Sequence, residues 1–214
     1  MGTMTGRAVV FSAVEVGPEM AGYLQPGDFI VACDAGYRNA ARLGVKPDLI
    51  VGDFDSAPQP QTDRETIVLP HVKDDTDTQF AARWLVEHGC TEAVLLGALG
   101  GARIEHTFAN ISTGLYLSLH GVKTILADAR SEMHYLLPGQ PLRLARRDWM
   151  YLSVFALGAP LCGVTLQGVY YPLQDATLTE LDYPLGTSNE FTAPEACLQC
   201  TAGHGLVVLT RADG

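Results

Sequence analysis

The sequence predicts an α/β domain with a mostly parallel sheet, followed by an all-β sandwich domain. Up to about residue 127, short apolar runs alternate with segments that carry apolar residues at helical spacing. From about Glu132 onward, short strand-like runs are separated by Pro, Gly and Asp, and no convincing helix is found. This change of pattern places a boundary near residues 128–137. We therefore expect an α/β domain over residues 1–130 and a β-sandwich over residues 131–214.

The predicted strands of the first domain are short, continuous and rich in Val, Ile and Leu. This composition is typical of a parallel sheet that is covered on both faces. The strands are Ala8–Ala13, Phe29–Cys33, Leu49–Val51, Thr66–Leu69, Ala93–Leu96 and Lys123–Ala127. The predicted helices are Tyr37–Leu43, Asp77–His88 and Glu105–Leu119. Thr76 or Asp77 suits the N-cap of the second helix, and Gly89 suits its C-terminal end.

The predicted strands of the second domain are spaced regularly and bounded by turn-forming residues. This arrangement is typical of an antiparallel sandwich or a barrel-like domain. The strands are Met150–Phe155, Val164–Leu166, Ala176–Leu178, Ala196–Cys200 and Gly205–Thr210.

The composition is that of an ordinary globular protein, with 47% hydrophobic and 18% charged residues. The 14 basic and 24 acidic residues give a net charge of −10, which disfavours nucleic acid and membrane surfaces as partners. A polyanionic substrate would need its charge neutralised locally, by a metal or by placed basic residues. No secretory peptide or membrane-length apolar stretch is found, and the five cysteines lack a paired framework. We therefore expect a cytoplasmic protein.

Five aspartates follow the predicted strands or lead into the predicted helices: Asp34, Asp53, Asp55, Asp74 and Asp77. Loops after strands are where α/β proteins build ligand sites. Carboxylate oxygens are the hard ligands that Mg²⁺ prefers. Any one of these aspartates is better explained as a turn former or a helix cap. Five of them at successive strand ends favour a magnesium site that faces phosphate groups.

A glycine-rich loop runs from Gly97 to His106, between a predicted strand and a predicted helix. Glycines at a helix N-terminus present backbone N–H groups to an anion, and Arg103 can add a charge-assisted hydrogen bond. The same glycines can also serve left-handed turns that need no ligand. His106 is either a general acid or base, or a helix-start histidine that bonds its neighbours.

Cys197 and Cys200, followed by His204, form a pattern that can bind zinc, with Cys162 as a fourth ligand. Structural zinc needs four well-placed ligands, and the sequence offers no second pair of cysteines. A half-buried strand explains the alternation over Ala196–Cys200 equally well, and we favour the strand.

Three aromatic side chains of the second domain can stack on an aromatic ligand. They are Trp149, Tyr170 and Tyr171. Packing in the core or at a dimer interface is the interpretation that we favour for them.

Five segments, in this order, resemble the motifs of thiamine pyrophosphokinase. They are Asp34–Gly36, Lys46–Ser56, Lys73–Asp77, Gly97–Asn110 and Ser188–Phe191. The specific part is PDLIVGDFDS followed by KDxTD. The fourth segment departs from the family pattern, because Ala102 is inserted and Glu105 replaces an aspartate.

The resemblance implies an enzyme that transfers the pyrophosphoryl group of ATP to the hydroxyethyl group of thiamine, giving thiamine diphosphate and AMP. It implies an N-terminal α/β catalytic domain that binds ATP and Mg²⁺. It also implies a C-terminal β-sandwich that contributes to thiamine binding and dimerisation. The expected assembly is a homodimer with its active sites at the subunit interface.

The resemblance also implies roles for individual residues. The expected Mg²⁺ ligands are Asp53, Asp55 and Asp74. The expected nucleotide contacts are Asp34, Gly36, Lys73 and Arg103. Asp77 is expected in the same cluster as the Mg²⁺ ligands. Arg103 and Glu105 are expected near the phosphates and the acceptor, and either Asp77 or Glu105 can take the hydroxyl proton in catalysis. The expected thiamine contacts, from the partner subunit, are Ser188 and Asn189.

Two alternatives use the same residues differently. A Mg-dependent phosphatase, or another phosphotransferase, would use the DxD aspartates, with Asp53 as the nucleophile of the phosphatase. Against a phosphatase, the motif is not near the N-terminus and Ala57 stands where Thr or Val is expected. A non-catalytic binder of nucleotide or thiamine would keep Arg103 and Ser188 but has little need of so many carboxylates.

Overall fold

The computed structural model describes residues 6–54, 58–70, 74–179 and 186–212. The chain divides into two compact units, residues 1–129 and residues 130–214. The functions that the sequence assigns to the two domains stay predictions at this point.

The first unit contains a parallel sheet with the strand order β4-β3-β2-β1-β5-β6. The strands are β1 Arg7–Phe11, β2 Phe29–Cys33, β3 Leu49–Gly52, β4 Glu65–Val68, β5 Glu92–Leu96 and β6 Lys123–Ala127. The helices are α1 Gly36–Arg42, α2 Asp77–Glu87 and α3 Ile104–Leu119, with a 3-10 helix over Pro18–Tyr23. No helix in the described part of the chain is long and apolar enough to cross a membrane.

The central strands of this sheet are buried because their side chains are apolar on both faces. Val9, Phe11, Val94 and Leu96 belong to a core cluster that also contains Ala40 of α1. Thr76 is the N-cap of α2, since its Oγ1 accepts a hydrogen bond of 3.1 Å from the backbone N–H of Gln79. Asp77, the residue after this cap, is therefore the first residue of α2.

Strand order fixes where a ligand site can form in this unit. Successive strands are added on one side of β1 up to β4, and the chain then returns to place β5 on the other side of β1. Ligands of such sheets bind at the carboxyl ends of the strands, in the crevice where the order reverses. The loops that follow β1 and β5 border that crevice.

The second unit is formed by two antiparallel sheets, with the orders β7-β13-β9 and β11-β10-β12-β8. The strands are β7 Ser131–Leu136, β8 Leu142–Ala145, β9 Trp149–Ala156, β10 Leu161–Gln167, β11 Leu173–Leu178, β12 Glu195–Gln199 and β13 Gly205–Arg211. Side chains from both sheets, such as Leu152 and Leu166, form one core. The predicted fold class, an α/β domain with a mostly parallel sheet and a C-terminal all-β domain, is confirmed.

Candidate active site

Asp34 and Asp53 lie next to each other at the carboxyl edge of the parallel sheet. They follow β2 and β3, which pair so that Cys33 lies opposite Val51. The backbone N–H of Asp34 donates to the carbonyl oxygen of Val51 at 2.8 Å. A Cβ at Gly52 would lie 3.1 Å from the Cα of Asp34, which is closer than side chains normally approach. Gly52 therefore allows the two loops to come together.

Asp77 reaches the same edge from the start of α2. Burial raises the pKa of the Cys33 thiol, and the negative charges of Asp77 and Asp34 raise it further. Both carboxylates must therefore lie close to this one buried atom at the end of β2. The neighbouring Thr78 is buried, and its hydroxyl lies 3.1 Å from that of Ser12. The structure thus brings Asp34, Asp53 and Asp77 to one end of the sheet.

Carboxylate side chains are suited to a hard divalent cation at this edge. The Oδ1 atoms of Asp34 and Asp77 are buried and accept no hydrogen bond, although both residues have other interactions. Asp74 is exposed in the loop before α2. Within the described ranges, no group of three or more His, Cys, Asp or Glu side chains is arranged to hold a metal ion. Asp55 and Lys73 lie outside the described residues, so the predicted ligand set stays a prediction.

Segments of the candidate site contain residues with a positive φ, a backbone conformation that residues other than glycine rarely adopt. The described non-glycine residues with positive φ are Asp34 (47°), Phe54 (55°), Asp175 (50°) and Ser188 (54°). Three of these four stand in segments that the motifs predict for the site. Residues held in this region cost of order 1 kcal/mol or more, and such strain is concentrated at functional sites. The strain supports the assignment of these segments.

Asn39 is a buried residue that the sequence reasoning missed. It lies on α1 with 2% of its surface exposed. Its Nδ2 donates to the carbonyl oxygens of Ser12 and Val14, both at 2.8 Å, and its Oδ1 accepts from the N–H of Val16 at 3.3 Å. One amide therefore holds the loop that follows β1. The available signal was a polar residue on the apolar face of a predicted helix.

Gly97 brings the loop after β5 against the loop held by Asn39. Its φ of 66° is left-handed, and an added Cβ would collide with the carbonyl oxygen of Val14 and lie 2.8 Å from that of Ser12. Farther along, the buried side chain of Asn110 donates to the carbonyl oxygen of Ala98 at 2.7 Å. The backbone at the carboxyl ends of β1 and β5 is therefore fixed from the inside.

Arg103 and Glu105 stand at the outer end of that loop. Their side chains form an ion pair of 2.8 Å between Nε and Oε1, with 71% and 64% of their surfaces exposed. The hydrogen bond from Arg103 lowers the pKa of the Glu105 carboxyl below its ordinary value. Because the pair is solvated, it contributes little to folding and is accessible to a ligand. The N–H of His106 donates to the carbonyl oxygen of Arg103 at 3.0 Å, at the start of α3.

Ser188 and Asn189 occupy different environments in the second unit. Ser188 is exposed, and its N–H donates to Oγ of Ser153 at 3.0 Å. Asn189 is 4% exposed and pairs with Leu152 through its own backbone. Its Oδ1 accepts from the N–H of Tyr171 at 2.9 Å, and its Nδ2 donates to the carbonyl oxygen of Tyr171 at 2.7 Å. The amide is therefore already engaged with the backbone.

Two cysteines of the second unit, Cys197 and Cys200, lie in β12 or directly after it. Cys197 is half-buried on β12, and Cys200 is buried just after it. Cys162 and His204 also belong to the described residues, among which no group of three metal-binding side chains is found. Of the four residues in this pattern, Cys197 lies in β12, Cys162 lies in β10, and Cys200 and His204 follow β12.

Two family models match this chain in succession. The model described as the catalytic domain of thiamin pyrophosphokinase matches residues 20–126, which is half of the chain. The model described as the vitamin B1 binding domain of thiamin pyrophosphokinase matches residues 141–204. The chain belongs to the thiamin pyrophosphokinase family. The resemblance drawn from the motifs is confirmed.

Individual members of the thiamin pyrophosphokinase family agree with this assignment. A thiamine pyrophosphokinase of Bacillus subtilis is 28% identical over 201 residues, which cover 91% of this chain and 92% of the relative. The crystal structure of a B. subtilis thiamine pyrophosphokinase has a TM-score of 0.86 at 20% identity, covering 97% of this chain and 100% of that one. A thiamin pyrophosphokinase family protein from Enterococcus faecalis has a TM-score of 0.77 at 26% identity, covering 97% and 100%. The predicted enzyme class is confirmed, and the comparisons do not support the phosphatase alternative.

Proposed function

We propose that this chain transfers the pyrophosphoryl group of ATP to the hydroxyethyl group of thiamine, giving thiamine diphosphate and AMP. The observation that carries the proposal is the match of both domain models in order. Asp34, Asp53 and Asp77, which lie at one edge of the parallel sheet, belong to the part matched by the catalytic-domain model. That edge is where sheets of this topology bind ligands.

The triphosphate is proposed to bind at the carboxyl edge of the parallel sheet, beside the aspartates and the glycine-rich loop after β5. A chain with a net charge of −10 repels a polyanion over most of its surface, so binding needs local positive charge. Arg103 supplies an exposed guanidinium at the end of the glycine-rich loop, and the N-terminus of α3 supplies backbone N–H groups. Asp34 and Gly36 at the start of α1, and Lys73 before α2, are proposed as further nucleotide contacts.

Mg²⁺ is proposed to be held by Asp53, Asp55 and Asp74, where it would neutralise phosphate charge when bound. The protein's own contribution is to orient the phosphates and to accept the hydroxyl proton of thiamine. Positioning and charge neutralisation carry most of the catalysis in phosphoryl-type transfers. Glu105 is a candidate proton acceptor because its carboxylate is exposed beside Arg103 and is ionised at neutral pH. Asp77 is the second candidate.

Ser188 is the proposed thiamine contact whose side chain is accessible. The proposal includes a homodimer in which the partner subunit supplies this contact, as the motif resemblance implies. A cytoplasmic location is also proposed, since all five cysteines are free, as in proteins of a reducing compartment.

The test is to incubate the protein with ATP, Mg²⁺ and thiamine and to identify the products by chromatography. We expect thiamine diphosphate and AMP in equal amounts. Inorganic phosphate without AMP would overturn the proposal.

The residue-level test compares two substitutions of the same kind. Asp53→Asn should lower kcat about 10³-fold or more, because it removes the negative charge of a proposed Mg²⁺ ligand. Asp63→Asn, at a side chain that is 98% exposed and outside the site, should leave activity unchanged. Turnover retained by Asp53→Asn, with folding shown by circular dichroism for both variants, would remove Asp53 from the mechanism.

A further inference from the structure

Ser12, the residue that follows β1, is bonded to three other elements of the first unit. It is buried, with 6% of its surface exposed. Its backbone N–H donates to the carbonyl oxygen of Leu96 of β5 at 2.8 Å, and its carbonyl oxygen accepts from Nδ2 of Asn39 of α1 at 2.8 Å. Its hydroxyl oxygen lies 3.1 Å from that of Thr78 of α2, which is hydrogen-bond distance. Each polar group of this one residue therefore holds a different element.

Thr78 carries the bond from Ser12 into the first turn of α2. It is the second residue of that helix, directly after Asp77, and is 7% exposed. Its side chain also hydrogen-bonds the thiol of Cys33 at the end of β2. A hydroxyl can donate one hydrogen and accept another, so both bonds form at the same time. The first turn of α2 is thus tied through Thr78 to the ends of β1 and β2.

Gln79, the next residue of α2, ties the same turn to α3. Its backbone N–H donates to Oγ1 of Thr76 at 3.1 Å. Its Oε1 accepts from the hydroxyl of Thr113, a residue of α3 that is 1% exposed, at 2.8 Å. The backbone that carries Asp77 is therefore held on both sides of that residue.

Ser12 connects this turn to the glycine-rich loop after β5. The N–H of Val14 donates to the carbonyl oxygen of Gly97 at 3.0 Å, next to the bond between Ser12 and Leu96. These two bonds join the loop after β1 to the start of the glycine-rich loop. The hydroxyl of Ser12 continues the connection to Thr78. A continuous path of hydrogen bonds thus runs from the glycine-rich loop to the turn that carries Asp77.

We propose that Ser12 and Thr78 are positioning residues for the transfer reaction, whose hydrogen bond sets the place of Asp77 relative to the glycine-rich loop. This assignment rests on the function proposed above. Both side chains are buried, so they act through Asp77 and not by touching the substrate. Neither residue belongs to the five motif segments, so the resemblance gives neither of them a role. Group transfer is sensitive to small displacements of the groups around the phosphates, which is why a bond beneath the site affects the rate.

The test measures kcat for AMP formation and KM for ATP and for thiamine in variants that lack one hydroxyl. Ser12→Ala and Thr78→Val should each lower kcat about tenfold, with both KM values within about twofold of the parent. The double variant should match Thr78→Val, because that change alone already breaks the bond to Ser12. Thr78→Ser keeps the hydroxyl and should stay within about threefold of the parent kcat.

The matched control is Ser118→Ala, which removes another buried hydroxyl. Ser118 is 8% exposed and donates to the carbonyl oxygen of Gly114 at 2.9 Å, in the last turn of α3. It lies at the opposite end of that helix from Glu105, so we expect the parent kcat. Circular dichroism and the urea midpoint of every variant show that it is folded under the assay conditions.

Several results would overturn the inference. A parent kcat in both Ser12→Ala and Thr78→Val would remove the bond from the mechanism. A kcat loss in Ser118→Ala as large as in Ser12→Ala would show that lost stability explains the effect. A raised KM for ATP with an unchanged kcat would show that the hydroxyls contact the nucleotide.

The proposed function and this inference fail in different ways. A parent protein that makes no AMP from ATP and thiamine would overturn both. An active parent whose Ser12→Ala variant is equally active would overturn the inference alone. If Thr78→Val does not fold, the comparison of Ser12→Ala with Ser118→Ala still decides the role of the hydroxyl.

Discussion

Asn39 in the first unit and Asn189 in the second are buried, and they hold segments of the candidate site in different ways. Asn39 is 2% exposed and binds three backbone groups, of Ser12, Val14 and Val16, in a loop that Gly97 packs against. Asn189 is 4% exposed and holds Tyr171, whose ring remains in solvent. The first amide is buried beneath the loops that follow β1 and β5. The second lies under a surface corner. The same type of side chain therefore stabilises the interior of a site in one place and fixes the shape of its surface in another.

The largest effect is expected from Asn39→Leu, which keeps the volume and removes the amide. Three buried backbone groups would lose their partners, at about 1–3 kcal/mol each before relaxation, so we expect a loss of about 3–5 kcal/mol. Urea unfolding measures this loss in the free energy of unfolding. The control is Arg42→Ala, which removes a half-exposed donor to the same Oδ1 and should cost less than about 1 kcal/mol. A loss below about 1 kcal/mol for Asn39→Leu would show that water enters the crevice.

The next effect is expected from alanine at two left-handed glycines of one loop. Gly97→Ala adds a Cβ that collides with the backbone of Val14, so we expect a loss of about 2–4 kcal/mol from strain and displacement. Gly100→Ala, where nothing lies within 4 Å of the added atom, should cost only the conformational strain of about 1 kcal/mol. Equal losses in urea unfolding would mean that the contact between the two loops is not rigid.

A smaller loss of stability is expected from Asn189→Ala. The groups that it releases belong to Tyr171 and Glu190, which are both exposed, so water can hydrate them. We expect a loss of about 1–2 kcal/mol, less than for Asn39→Leu. Urea unfolding of both variants under the same conditions shows which one loses more stability. An Asn189→Ala variant that is the less stable of the two would reverse the distinction drawn between the crevice and the corner.

The smallest effect on stability is expected at the exposed ion pair. Arg103 lowers the pKa of Glu105, so the stabilisation is present above the ordinary carboxyl pKa and is lost as the pH falls through the lower folded value. Because the pair is solvated, Glu105→Gln should leave the urea midpoint unchanged at pH 7 while kcat falls about tenfold or more. The control is Asp148→Asn, which removes a similar exposed pair with Arg211 in the second unit and should leave kcat unchanged. An unchanged kcat for Glu105→Gln would exclude it as the proton acceptor.

Much of the fold was predictable because its strands are continuous apolar runs. The strands that the sequence missed show the limit of that signal. β7 contains Glu132 and His134, two polar residues that read as an interruption, yet both are buried and their side chains pair at 2.6 Å. A buried polar pair satisfies itself only in three dimensions, so hydrophobic periodicity does not register it. β8 was missed because only Leu144 of its four residues is buried, so it contains no continuous apolar run.

The arrangement of the candidate site was predictable where residues follow strand ends and unpredictable where it depends on distant partners. Asp34, Asp53 and Asp77 were selected by their position after strands or before a helix, and they do meet at one edge. The engagement of Asn189 depends on Tyr171, 18 residues earlier in the chain. Nothing in the local sequence shows such a pairing. Asn39 escaped notice for the same reason, since its partners lie 23 to 27 residues before it.

The left-handed residues of the site set a limit on how this enzyme can be improved for industrial use. Glycine at Phe54 or Ser188 would relieve the backbone and raise the melting temperature, but it would let the neighbouring side chains drift. A directed-evolution campaign that screens survivors of heating should therefore accumulate glycine at these two positions and lose turnover as it does so. Screening for product at every round would keep the original residues, and with them the strained backbone conformation of these two positions.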